Sequence, residues 1–452
     1  MAKENVLLTR PLPGLFLRYV APAMAAMVLD GIQGIVDGIF IGNYVGADAM
    51  ASVNIANPYY QIIVGSSMVI CSGTMSAAGR ALGAGKEKRA KDIYHSALVV
   101  LGVISVLLMA AGLLFSRPVA LLLGASPALL ENSGRYIRAL AVFAPAISFK
   151  ILFGFSSRLI GRPQLYLAGT VTTISANIFL DYLAVGVLGL GTAGAAAATG
   201  LAYLAGLLVV VRPLLSKETV LNVRDGVFRP KEILHASFNG ASEGVNYVAA
   251  ALTVFLLNRS FMEAAGEGGV AAFTIISYVG NFVTLLMFGM SDGSGPIISN
   301  NYGAGNWDRI RKTLRTAVIS NFILGLVLFA AFWIWGQELI SLFLDGETEG
   351  EVIAMAAAGA RIYGLCFLAS GFNIVQSGYY TALGDAVSSV IIAAGRGIVF
   401  VALGLALFPG MFGINGVWFS LPFGEFATAV LCVGMYGRKG RRQNRDEKGR
   451  KQ

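Results

Sequence analysis

The stretch GRALGAGKEKRAKD, Gly79 to Asp92, decides the fold, because the chain carries a second version of it in SNNYGAGNWDRIRK, Ser299 to Lys312. Gly83 stands opposite Gly303, Gly85 opposite Gly305 and Arg89 opposite Arg309, each pair 220 residues apart. Arg138 and Gly161 fall opposite Arg361 and Gly384 at 223 residues, and Gly191 and Gly194 opposite Gly413 and Gly416 at 222. A nearly constant offset at three separated places marks an internal duplication.

What was duplicated follows from composition. The 452 residues are 56% hydrophobic and only 13% charged, with a mean hydropathy of +0.69. Soluble domains carry about 25% charged residues, so this composition belongs in a bilayer. Apolar runs of roughly 20 residues begin near residues 15, 58, 94, 132, 165, 191, 233, 269, 314, 352, 387 and 414, which predicts twelve transmembrane helices. Glycine is abundant at 56 residues, and runs such as GTAGAAAATG, Gly191 to Gly200, suit helices that pack closely in lipid. The N-terminal MAKENVLLTR has no small-residue cleavage site after a short apolar core, so the first apolar segment is expected to remain a spanning helix.

The linkers between spans alternate in charge. Gly85 to Asp92, Arg212 to Lys231, Asp308 to Lys312 and the tail RKGRRQNRDEKGRKQ are basic, whereas the intervening linkers are short or acidic, with Glu263 and Glu267 in one and Glu338, Asp345, Glu347 and Glu349 in another. Basic linkers face the cytoplasm, which puts both termini there and requires an even number of spans. The net charge of +9 then belongs to sidedness and anionic headgroups, and no nucleic-acid partner is expected. Six spans per half insert both copies in one orientation, so the two six-helix bundles of this all-α polytopic protein are related by a pseudo-two-fold axis along the membrane normal. The predicted organisation is an N-terminal cytoplasmic segment (1–14), an N-lobe (15–212), a cytoplasmic linker (213–232), a C-lobe (233–436) and a basic tail (437–452). Duplicated lobes are a common transporter plan, with alternating access as the expected motion.

Polar residues inside such spans carry the functional reading. Asp181, within NIFLDYL, lies about 9 Å from the external end of the fifth span, and Asp37 lies at about the same depth in the first. Thr199 lies about 12 Å inside the sixth span, and Asn177 is one turn below Asp181 on the same face. Two carboxylates, an amide and a hydroxyl from three helices would make a cage for a small hard cation such as Na+, or a proton carrier. A lone Asn or Thr in a span also bridges helices by hydrogen bonds, but two acids at matched depth with no basic residue in their own spans lack a structural partner. Asp30 shares a helical face with Asp37, and Asp30, Gln33, Tyr136, Glu243 and Arg396 are candidates for a substrate cavity. Arg396 is also the obvious basic partner for an acid of the second lobe. Pro22 lies inside the first span and predicts a kink. Cys71, Cys366 and Cys432 are far apart and read as buried thiols, and His95 and His235 as interfacial residues. No HExxH, GxSxG or GxGD motif for an intramembrane enzyme occurs, so no enzymatic activity and no cofactor are expected.

These residues carry a family resemblance. DGIFIGNYVGADAMASVNIANP from Asp37 to Pro58, the GRALGAGK loop, the NxxxD of Asn177 and Asp181, Glu243 of the seventh span and the six-plus-six repeat resemble the multidrug and toxin extrusion (MATE) family of prokaryotic type, from about Leu15 to Cys432. The resemblance implies a V-shaped fold of two six-helix bundles in the cell membrane and antiport of organic cations against inward Na+ or H+. It also implies a cation site at Asp37, Asn177, Asp181 and Thr199, the residues already singled out by depth. Other members use C-lobe acids, one of which carries over to Glu243, but the tenth span, Gly364 to Thr381, holds none. The expected partners are a small organic cation and membrane lipids, with the chain acting as a monomer. The alternative within transport is a flippase for a lipid-linked or polysaccharide precursor, which needs several basic residues in its cavity.

Overall fold

In hydrocarbon every backbone N–H and C=O must be satisfied within its own segment, so long apolar runs become helices. The computed structural model describes residues 5–216, 219–341 and 350–451, and among the described residues the regular elements are all helical. Asp345, Glu347 and Glu349 of the acidic linker lie outside the described residues, as do residues 1–4 and 217–218 and the side chains of the basic tail.

Nine helices are long and apolar enough to cross a membrane singly: Leu12–Tyr44, Asp48–Gly83, Glu87–Leu114, Pro163–Val187, Gly191–Leu215, Ala241–Gly303, Trp307–Gly336, Ala386–Phe412 and Ile414–Gly437. Two bent pairs each supply one further span, Leu130–Ala141 with Ala144–Leu159 at 51° and Val352–Gly364 with Cys366–Leu383 at 44°. The 63-residue helix Ala241–Gly303 leaves helical geometry at Ala265 and Gly266, where glycine takes φ +62°, and so counts twice. Together these make twelve spans among the described residues, starting close to where the hydropathy places them. The two bent spans are the fourth and the tenth, so even the bend is repeated between the halves.

The repeat glycines show why the offset is so constant. Gly85 and Gly305 have φ +70° and +75°, Gly161 and Gly384 +81° and +86°, and Gly191 and Gly413 +61° and +57°. Each pair closes the same helix–helix turn in the left-handed region, which a Cβ disfavours. Gly83 and Gly303 answer a different need, close approach: a Cβ on Gly83 would stand 1.8 Å from the Asn300 carbonyl oxygen, and one on Gly303 2.0 Å from that of Arg80.

The chain divides into two compact units. The first runs through Gly244 and includes Asp292–Thr313 and Ala382–Gly384; the second holds Val245–Ser291, Leu314–Thr381 and the chain from Asp385. In the first unit, the short helix Val6–Thr9 is held by Arg309, which donates to the carbonyls of Leu7 (3.2 Å) and Arg10 (2.8 Å). The seventh span is preceded by a separate helix, Pro230–Asn239, broken from it at Gly240. That break lies against the second span, where a Cβ on Gly240 would meet the Val69 carbonyl oxygen at 1.9 Å and one on Gly73 that of Ala236 at 1.8 Å. The second unit has an aromatic centre: Phe261 packs on Trp418 at 4.3 Å between ring centroids and on Phe273 at 5.0 Å. Trp418 is 1% exposed, and Gly359 leaves room for its indole.

Gly83→Ala is therefore expected to destabilise the purified protein by about 3 kcal/mol or more, because backbone stands where the methyl would go. Gly295→Ala, a helical position with nothing within 4 Å, should shift stability by about 1 kcal/mol or less and in the favourable direction. Thermal unfolding in detergent checks both.

Candidate cation site and the buried charges around it

The first span carries Asp30, Gln33 and Asp37 at spacings of three and four, which stacks them on one helical face. In the fifth span Asn177 and Asp181 lie one turn apart, and the Asn177 amide donates to Asp181 Oδ2 at 3.0 Å. Both are enclosed, at 0% and 1% exposure. The first and fifth spans pack along each other, and the Asp37 carboxyl comes within hydrogen-bonding reach of both the Asp181 carboxyl and the Asn177 side chain. Immediately beyond Asp181 the helix widens into a π-helical turn, Tyr182–Val187. Such turns are frequent at functional sites, because the extra residue re-aims a side chain at the expense of regular bonding.

One oxygen on each of three side chains is left over. Asp37 Oδ1, Asn177 Oδ1 and Asp181 Oδ1 are buried without a hydrogen-bond donor. Buried acceptors are normally satisfied, and two carboxyls in contact need a positive charge between them. Thr199 is buried nearby on the sixth span, but its hydroxyl donates back to the Ala195 carbonyl at 3.0 Å, and no bond from it to the acids is seen among the described residues. Tyr136 is buried within electrostatic range of Asp37 and Asp181, and Gln33 is also buried. Glu243 lies in the first turn of the long helix after the Gly240 break, its backbone N–H bonded to the Gly240 carbonyl at 3.0 Å. The structure thus draws Asp37, Asn177 and Asp181 together, with Tyr136 in range. No group of three or more His, Cys, Asp or Glu able to hold a metal ion occurs among the described residues.

In the second unit Arg396 finds an acid that the sequence reading did not single out. Its guanidinium meets Glu425 of the twelfth span at 2.7 and 3.4 Å, and Asn373 of the tenth donates to Glu425 Oε2 at 2.7 Å and to its carbonyl at 2.8 Å. Arg396 occupies a second π-helical turn, Gly395–Val399, whose Gly397 carbonyl accepts the Thr253 hydroxyl. The pair is closed and enclosed, with side chains 13% and 11% exposed.

The MatE family model matches residues 22–183 and 247–405, one stretch in each half and together most of the chain. The chain belongs to the MATE family. The multidrug export protein MepA of Staphylococcus aureus is 24% identical over 422 residues, 92% of either chain, and that of Staphylococcus saprophyticus 23% over the same span. A crystal structure of a MATE protein in complex with MaL6 superposes with a TM-score of 0.90 at 22% identity, covering 97% of this chain and 98% of the other. An outward-facing multidrug resistance MATE transporter superposes at 0.89 and 23% identity, with the same coverage. This MATE chain is accordingly a multi-pass membrane protein whose fold is that of those transporters.

Two more buried cations were missed by the sequence reading, which found the spans poor in basic residues apart from Arg396. Lys150, in the middle of the fourth span, donates to Thr170 at 3.3 Å and lies 3.9 Å from Asp30. Arg158, near the end of the same span, is 2% exposed between the rings of Phe155 and Tyr166, at 4.0 and 4.3 Å, and reaches Asp292 at 3.8 Å. The signal for Lys150 was plain in SFKIL, a lysine too deep in its span to reach the headgroups; its partner was not legible. Glu425, in FGEFATAV, offered the same signal.

Removing one member of a buried ion pair strands the other, so Arg396→Met and Glu425→Leu should each destabilise the protein by about 3–5 kcal/mol, while the double variant Arg396→Met with Glu425→Leu recovers most of the loss. Thermal unfolding of the four proteins measures the coupling.

Proposed function

We propose that this MATE protein is a secondary active exporter of amphipathic organic cations, driven by inward flow of Na+ or H+ and working by alternating access in the cell membrane with both termini in the cytoplasm. The observation that carries the reading is the set of buried oxygens on Asp37, Asn177 and Asp181 that have no donor. A donor-free cluster containing two acids attracts a proton or a small hard cation, and binds it only while the acids stay in contact. Span one brings Asp37 to that contact, so ion occupancy and the position of this helix depend on each other. Binding would draw the first and fifth spans together; release would leave two carboxylates repelling one another. A transporter needs that dependence if an ion gradient is to do work on a second cargo.

Export, as against uptake, is supported by the multidrug export relatives, which align over nearly their whole length. The flippase alternative gains little from the structure. It asks for several cations presented to a polyanionic headgroup, whereas Lys150, Arg158 and Arg396 each lie beside an acid and are almost fully enclosed.

The test is ethidium transport in proteoliposomes under imposed Na+ or H+ gradients. The parent should move ethidium only with a gradient of the coupling ion, and Asp37→Asn and Asp181→Asn should each slow it by about a hundredfold, the size expected when a charge needed in the mechanism is lost. Transport that persists in both variants would make these acids structural. A parent that moves no cation under either gradient would overturn the exporter reading.

A further inference from the structure

Asp30 and Lys150 form an ion pair unlike the other buried one in the protein. Arg396 and Glu425 close to 2.7 Å with both side chains enclosed. Lys150 Nζ and Asp30 Oδ1 stand 3.9 Å apart, and their exposures differ widely: the lysine side chain is 4% exposed, the aspartate 34%. One charge therefore faces open space while the other lies behind it. The ammonium is occupied on its own side, donating to Thr170 Oγ1 at 3.3 Å and lying 5.2 Å from the centre of the Tyr203 ring. The Tyr203 hydroxyl shares a 2.6 Å hydrogen bond with that of Tyr60, so both rings are fixed. Asp30 Oδ1, facing Lys150, has no hydrogen-bond partner.

The arrangement is a carboxylate presented outward, flanked by aromatic surface, with a resident cation near enough to weaken its field yet too far to occupy it by a hydrogen bond. Asp30 also lies seven residues before Asp37 on the first span, about 10 Å along the helix, so a group bound at one need not displace a group at the other.

We infer that Asp30 receives the cationic centre of the organic substrate and that Lys150 is its built-in counter-ion, the two forming a pair that sets which substrate charges the protein accepts. This rests on the exporter reading and names the substrate site within it. With Lys150 in place the pair is neutral, so an arriving monocation meets a carboxylate whose pull is partly cancelled, and can leave again. A dication meets the same carboxylate but twice the repulsion from the ammonium behind it. Delocalised cations gain further from the tyrosine faces beside the pair. Lys150 thus discriminates by charge number, and Asp30 by sign.

Fluorescence binding of ethidium, a monocation, and propidium, its dicationic analogue, to purified protein in detergent tests this. Lys150→Met should raise affinity for both dyes and raise the propidium-to-ethidium affinity ratio by about tenfold, whereas Lys150→Arg, which keeps the charge, should keep the parent ratio. Asp30→Asn should weaken both dyes by about tenfold or more. If Lys150→Met does not yield folded protein, judged by thermal unfolding, Lys150→Gln and Asp30→Asn carry the same comparison. An unchanged dye ratio in the lysine variants, or parent-like binding in Asp30→Asn, overturns the inference while leaving gradient-driven ethidium transport by the parent intact. A parent that neither binds nor moves ethidium removes the exporter reading itself.

Discussion

An ionised side chain inside a hydrocarbon layer needs a partner, and the disposition of partners organises this protein. Each deep basic residue has an acid within reach: Lys150 beside Asp30, Arg158 beside Asp292, Arg396 on Glu425. Asp37 and Asp181 depart from this pattern, since the group each acid faces is another acid. Energetically the first three are self-contained, and the last is complete only with a charge from solution. That difference separates charges that hold the fold from charges that respond to the medium.

The two halves use the same scaffold for different chemistry. Both contain a bent span, the same three left-handed glycine turns and a π-helical turn in the span whose polar residue matters most. In the first half the π-turn follows Asp181; in the second it contains Arg396, already neutralised by Glu425 and braced by Asn373. A carboxylate that is permanently paired cannot exchange ions. The second unit accordingly contributes a fixed polar core where the first has a cluster with oxygens to spare.

Hydropathy and linker charge made the spans legible because both report directly on a slab of lipid, which constrains one dimension only. Depth was legible for the same reason, and Asp37 and Asp181 could be set at one level by counting residues. Their contact required more, namely that the first and fifth spans present those faces to each other, and matched depth happened to agree with it. Lateral neighbours were otherwise invisible. Nothing in SFKIL says that Lys150 turns toward Asp30 rather than toward another acid, and nothing near Arg396 points 29 residues on to Glu425. Thr199 shows the limit from the other side: correct in depth and burial, it spends its proton on its own helix. Rotation of a helix about its axis depends on small-residue contacts such as Gly73 with Ala236, which only the assembled lobe reveals.

The twin glycine turns carry a consequence for the history of the chain. Gly85 with Gly305, Gly161 with Gly384 and Gly191 with Gly413 keep nearly the same backbone angles in each pair, although the residues around them have diverged. A hairpin geometry preserved at three joints was in place before the copying event, so the ancestral half already had its turns. Because a six-span unit begins and ends on one side of the membrane, joining two copies needed only a surface linker and no additional helix. Fusion was thus topologically simple, and the freedom it conferred was chemical: once covalently tied, the halves no longer had to carry the same charges.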